Sequence, residues 1–163
     1  MFRKILFMLI LIVSFGTVIV STAQQPETVN VKLYFADAGM MRLVPSNAVI
    51  CRTDTEHEAR AVINALIAGR DNNPKIRRLI PNEKKCMSVR VRDNIAIVDI
   101  KQKMIDVHPD DKNSEILTVY QIVNSLASIE NITSVRFTVN GTPQKNFMGH
   151  IDMRETFIPD YTV

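Results

Sequence analysis

Acid–base, nucleophilic and metal chemistry all need histidine, cysteine or carboxylate groups that converge, and this chain carries few. Its histidines are His57, His108 and His150. The first falls in the opening turn of a helical pattern, the second precedes Pro109 in a loop, and the third follows Gly149 near the end. His108 with Asp110 and Asp111 puts an imidazole and two carboxylates within one short run, a donor set suited to a divalent cation. No second cluster supplies the remaining ligands, and His-Pro-Asp-Asp reads more simply as a turn leading into a helix. Asp99 interrupts Ile95-Ala96-Ile97-Val98 and Ile100, and by alternation it shares a face with Ile95 and Ile97. Burying a lone carboxylate is costly, so Asp99 belongs at the rim of a sheet or in a hydrogen-bonded setting, as a strand-end cap rather than a catalyst. There is no glycine-rich phosphate loop, His-Glu-x-x-His pair or Gly-x-Ser-x-Gly elbow. The expectation is a protein that is not an enzyme, with no catalytic, cofactor-binding or metal-binding residues and no cofactor. The alternative is an envelope enzyme using Asp99 or the His108 region.

The cysteines are Cys51 and Cys86. They can bridge in an oxidising compartment if the strand ending at Arg52 neighbours the one starting at Met87. The other reading is two small buried hydrophobes, and with no histidine beside them they make a poor zinc site. Residues 70 to 92 are rich in Lys and Arg, and Lys75, Arg77, Arg78, Lys84 and Lys85 form a patch for an anionic partner. The plainer reading is a solvated loop and strand edge. No aromatic residue interleaves with these charges, which argues against nucleic acid, whose single strands need stacking platforms.

The elements that must position these groups follow from periodicity. Arg3 and Lys4 precede an almost wholly apolar run from Ile5 to Val20, and Ser21-Thr22-Ala23 then offers the small residues of a cleavage site. Residues 1–23 are therefore a signal peptide cut after Ala23, or else a retained membrane anchor over residues 5–23. In either case the remainder is exported and meets a membrane only through this segment. Arg3 and Lys4 supply two of the formal charge of +3, so net charge names no partner. Residues 24–28 form a short tether, 29–158 one domain and 159–163 a C-terminal tail.

Val29, Val31, Leu33 and Phe35 alternate with polar residues as a strand, and Ala48 to Cys51 reads as a second. Thr55 with Glu58 suggests a capping box, and Ala59, Val62, Ile63, Leu66 and Ile67 line one helical face closed by Gly69. Residues 70–85 read as a loop. Met87 to Arg92 and Ile95 to Ile100 form a hairpin turning at Asp93-Asn94. Lys101 to Asp111 reads as a loop, and a second helix begins at Asn113 or Ser114 and ends near Glu130, with Ile116, Val119, Tyr120, Val123, Leu126 and Ala127 along one side. Val135 to Val139 makes a strand, Asn140-Gly141 a turn, and Phe147 to Met153 a weaker return strand. The expected fold is α+β in the order β-β-α-β-β-α-β-β, with two helices on one face of a small mixed or antiparallel sheet.

Several landmarks recur in a known order: Val31-Lys32-Leu33-Tyr34-Phe35, Leu43-Val44-Pro45, Ala65 to Gly69, Leu79-Ile80-Pro81, Val89-Arg90-Val91, Ala96 to Asp99, Ile122 to Leu126, Val135-Arg136-Phe137, Val139-Asn140-Gly141 and Gly149 to Asp152. In this the chain resembles the sporulation and spore germination domain (GerMN) over nearly its whole exported part. It departs from the family pattern at Arg70, where proline often follows the helix-terminal glycine, and at Lys101, where serine is common. The resemblance implies a fold similar to the ring-building motifs of secretion systems. It also implies a non-catalytic assembly module of the bacterial envelope, acting in sporulation or germination. Its partners would be envelope or spore-assembly proteins, further copies of itself, or a cell-wall polymer.

Overall fold

The structure is a computed structural model that describes residues 26–70, 73–83, 85–146 and 149–163. The signal segment, Lys84 and the first two residues of the expected return strand lie outside the described residues. The elements run β1 (Thr28–Asp37), β2 (Leu43–Cys51), α1 (Thr55–Ala68), β3 (Ile76–Arg77), β4 (Met87–Arg92), β5 (Ile95–Ile100), α2 (Gln102–Asp106), α3 (Lys112–Leu126) and β6 (Ser134–Val139).

The class is α+β, as read, but the strands divide into two sheets of three, ordered β2-β1-β3 and β4-β5-β6, rather than forming one. The reason lies on the second edge of β1. After two residues of pairing with β3, that edge is taken by α3 and the turn that follows it: the N–H groups of Tyr34 and Lys32 donate to Ser125 Oγ at 2.8 Å and Ser128 Oγ at 3.1 Å. With two N–H groups of this edge taken by serine hydroxyls, β1 does not continue its ladder to β4. Instead β4 pairs antiparallel with β5 through Asp93-Asn94, whose φ of 50° and 63° suit a tight hairpin turn. β6 lies parallel to β5, which requires a crossover, and the segment carrying α2 and α3 provides it.

Helix α1 lies chiefly against β4 and α3 against β1, and the two helices touch. One hydrophobic cluster therefore runs through both sheets, with Leu33, Leu66, Val98, Ile122 and Phe137 among its members. The apolar face read for α1 is buried from Ala59 to Ile67. Its cap is one residue earlier than Thr55: Asp54 Oδ1 accepts the His57 N–H at 3.0 Å, while Glu58 reaches back to the Thr53 N–H at 3.1 Å. The cap of α3 is likewise Asp111, not Asn113 or Ser114, since it accepts the Ser114 N–H at 2.8 Å. Asn113 is thereby released to donate to the Met40 carbonyl.

Short α2 and β3 occupy stretches that read as loops because a turn of helix and a two-residue strand are too brief for periodicity to register. Over 149–153 the return strand is reduced to an isolated bridge between Asn146 and Asp152. Residues 159–163 are held on the body. Asn124 exchanges hydrogen bonds with the backbone of Asp160, and the Leu43 N–H donates to the Val163 carbonyl at 3.0 Å. Among the described residues no helix is long and apolar enough to cross a membrane.

Candidate functional site

The polar chemistry of the fold gathers on α3. Of the expected stripe Val119, Val123 and Leu126 are buried while Ile116, Tyr120 and Ala127 are half-buried, and Leu117 and Ile122 join the core instead. The polar Glu115, Thr118, Gln121, Asn124 and Ser125 are buried too. Each of the first two of these polar residues fixes a different part of the chain. Glu115 accepts from the N–H groups of His150 and Ile151 and from His150 Nδ1 at 2.8 Å. Thr118 Oγ1 lies 2.6 Å from His108 Nε2, and His108 Nδ1 lies 2.9 Å from the Pro109 carbonyl. A carbonyl can only accept, so Nδ1 carries the hydrogen and Nε2 accepts from the threonine hydroxyl. Burial pushes the His108 pKa down, against the upward pull of the Pro109 carbonyl, Asp111 and Glu115. The imidazole is a neutral structural bridge. Gln121 Oε1 is buried without a hydrogen-bond partner among the described residues.

The metal-like run His108, Asp110 and Asp111 is thus taken apart. His108 turns inward to Thr118, and Asp111 faces the first turn of α3. Among the described residues no group of three or more His, Cys, Asp or Glu side chains is placed to hold a metal ion.

Asp99 sits on the half-buried face of β5 with Ile95 and Ile97, as alternation required. It accepts from Thr138 Oγ1 at 2.9 Å, from the Gly141 N–H and from Lys101 Nζ at 2.6 Å. Burial works against its charge, but the hydrogen bonds from Lys101, Gly141 and Thr138 outweigh it and hold the carboxyl below the usual range. Its role is to clamp the Asn140-Gly141 turn onto the end of β5. It also borders a groove of about 520 Å³ between α1 and β4, with Met87 and Val89 at its floor and Arg60 and Arg90 on its walls.

The basic segment is divided. Lys75, Arg77 and Lys85 are exposed. Arg78 folds inward, and its guanidinium donates to the carbonyls of Ile67 and Ala68 at 2.7 Å each. That caps the C-terminal end of α1, where a cation also suits the helix dipole. Lys85 lines a separate depression with Asn64 and Asn82. Lys75 instead shares a cleft of about 350 Å³ with Arg42 and Arg70, beside Asp37. Arg42 was not legible as part of the patch, because only the pairing of β1 with β2 brings it there.

Both cysteines are free, Cys51 exposed at the end of β2 and Cys86 buried before β4. The strand adjacency that a bridge required is not formed, since β2 and β4 belong to different sheets. Sequence reasoning missed the polar rail of α3. Its signal was compositional: after Lys112 the helix carries no Lys or Arg, and its polar residues are mostly Ser, Thr, Asn and Gln, which can be buried once paired.

The family model described as "Germane: Sporulation and spore germination" matches residues 32–145. A protein of Clostridium perfringens described as a lipoprotein shares the fold at a TM-score of 0.58 and 22% identity, over 81% of this chain and 88% of that one. The tandem GerMN domains of the sporulation protein GerM from Bacillus subtilis match at 0.65 and 17% identity, over 81% of this chain and 46% of that one. The first GerMN domain of the same protein matches at 0.61 and 16% identity, over 77% and 92%. A search of curated proteins finds no match.

Proposed function

Because the chain belongs to the Germane family of sporulation and spore germination domains, we propose that it is an exported, non-catalytic interaction module of the bacterial envelope that serves spore assembly or germination through protein contact. The observation that carries this reading is the use made of its chemically capable groups. Asp99, His108, Asp111 and Glu115 are each committed to holding backbone or a buried neighbour. Its surface meanwhile keeps large apolar side chains in solvent, among them Met41, Val107 and Ile158. Scattered exposed hydrophobes are normal on any surface, so the argument rests on both features together.

A second reading, binding of an anionic wall polymer, is favoured by one observation, the shared cleft of Arg42, Arg70 and Lys75. The two separate by salt. Charge contacts at a surface are screened over about 10 Å at 0.1 M, whereas a desolvated protein interface resists salt. The exported chain is used to capture partners from envelope extracts and, separately, purified anionic wall polymer. Salt-resistant capture of a defined envelope protein, lost when Met41, Val107 or Ile158 is changed in turn to Asp, is the expected result. Salt-sensitive retention of polymer, abolished by Lys75→Glu with Arg42→Glu and indifferent to the apolar changes, would replace the first reading with the second.

A further inference from the structure

β2 is the outer strand of its sheet, and the bonds it makes show which of its backbone groups face away from β1. The Leu43 N–H donates to the Val163 carbonyl, and the Asn47 carbonyl accepts from Arg70 at 2.9 Å. The odd-numbered residues of β2 therefore point their N–H and C=O groups outward, because these alternate along a strand. Pro45, which has no N–H to leave unpaired, occupies one of these positions. The edge is thus closed from Leu43 to Pro45 by Val163 and a proline, carries Arg70 on the Asn47 carbonyl, and is otherwise open from the Asn47 N–H to Cys51. Among the described residues β2 pairs with β1 alone, and the outward groups of Val49 and Cys51 have no partner. Val49 is 65% exposed. The open stretch Asn-Ala-Val-Ile-Cys has no charge, proline or glycine, and so lacks the features that normally keep edge strands apart.

We propose that this stretch pairs antiparallel with the same stretch of a second copy about a two-fold axis at Val49, joining two β2-β1-β3 sheets edge to edge. That register places Val49 against the partner's Val49, Asn47 against the partner's Cys51, and Ala48 against the partner's Ile50, small beside large. The N–H and C=O groups of both Val49 residues then satisfy each other, and the Asn47 carbonyl keeps a second lone pair beside Arg70. A second copy is the occupant because the edge is blocked at one end only. In the antiparallel two-fold arrangement the two blocked ends point apart, so the open stretch is used in full and neither proline meets a strand. The contact is isologous and closes as a dimer. It deepens the interaction role proposed above by naming a partner, and it is tested on the chain alone, so its failure leaves the capture experiment standing.

The full chain, in the form the cell exports, is followed by sedimentation in reducing buffer across a range spanning about 1 to 200 µM. A monomer–dimer equilibrium is expected. Val49→Pro removes an N–H that faces solvent in the monomer, so thermal melting should be retained while dimerisation weakens by about tenfold or more. Asn47→Cys tests the register independently of that variant. Directly opposed, hydrogen-bonded residues have Cα atoms about 5.5 Å apart, within disulfide range. Under oxidation this variant should cross-link through Cys51 of the partner subunit, and the wild type, whose Cys51 thiols are out of register with each other, should not. A protein that stays monomeric throughout, a dimer indifferent to Val49→Pro, or a wild-type dimer linked through its Cys51 residues would each overturn the proposal.

Discussion

Asp99 interrupts an apolar strand, yet it is among the most fully engaged side chains of the fold, with Thr138, Gly141 and Lys101 all donating to it. Asp99→Asn should destabilise by about 1–3 kcal/mol in chemical denaturation, because the amide keeps the shape but forfeits the charge-assisted bonds. The folded pKa of Asp99 is depressed from 3.8. Its stabilisation is therefore present above that value and lost as pH falls through the folded one, and the variant should flatten this part of the acid limb. His108 is also depressed, from 6.5, but here the neutral form is the one the fold holds. Its contribution is intact above the unfolded value and declines below it, as the unfolded imidazole takes up a proton that the folded one refuses. Urea midpoints between about pH 7.5 and 5 should fall for the wild type and fall less for His108→Gln. His57 and His150 are present in both proteins, so the difference isolates His108.

At the scale of elements, the junction after α1 depends on one glycine. Gly69 has φ 65° and ψ −167°, a region that is essentially glycine-only. A Cβ there would also stand 2.5 Å from the Arg78 guanidinium that caps the helix. Gly69→Ala should therefore cost at least about 1–3 kcal/mol of backbone strain, with the displaced cap in addition. In a double-mutant cycle with Arg78→Ala the two changes should be less than additive, since the second removes the clash of the first. Additive losses would show that the strain alone matters. The same logic of one element serving another applies to α3, whose Ser125 takes the Tyr34 N–H on the edge of β1 and whose Glu115 and Asn124 hold the C-terminal segment.

At the scale of the molecule, that C-terminal segment ties the two halves together. Phe157 pairs with Val135 of β6, while Val163 bonds to Leu43 of β2. Both cysteines are free, Cys51 at the end of β2 and Cys86 just before β4 of the other sheet. Reductant should leave the thermal midpoint unchanged. A thiol reagent applied to the dilute folded protein should modify Cys51 promptly and Cys86 only on unfolding, since burial both hides the Cys86 thiol and pushes its pKa up. Prompt labelling of both sites, or a midpoint lowered by reductant, would contradict the arrangement.

Periodicity and turn chemistry alone determined the stripes of β1, β4, β5 and α1, the hairpin at Asp93-Asn94 and the placing of Asp99 on the rim face of its strand. These are local, because alternation, helical spacing and positive-φ turns are properties of neighbours in sequence. The ordered landmarks from Val31 to Asp152 were enough to indicate the family. What the tertiary structure alone decided was which strand edges meet. Two sheets form instead of one because Ser125 of a distant helix and Ser128 just after it take the edge of β1, and neither their spacing nor their type announces that in the sequence. The buried polar face of α3, the gathering of Arg42 with Arg70 and Lys75, the separation of the cysteines and the edge of β2 left open at Val49 follow from the same cause. Each depends on pairing between residues far apart in the chain, and no local pattern encodes that pairing.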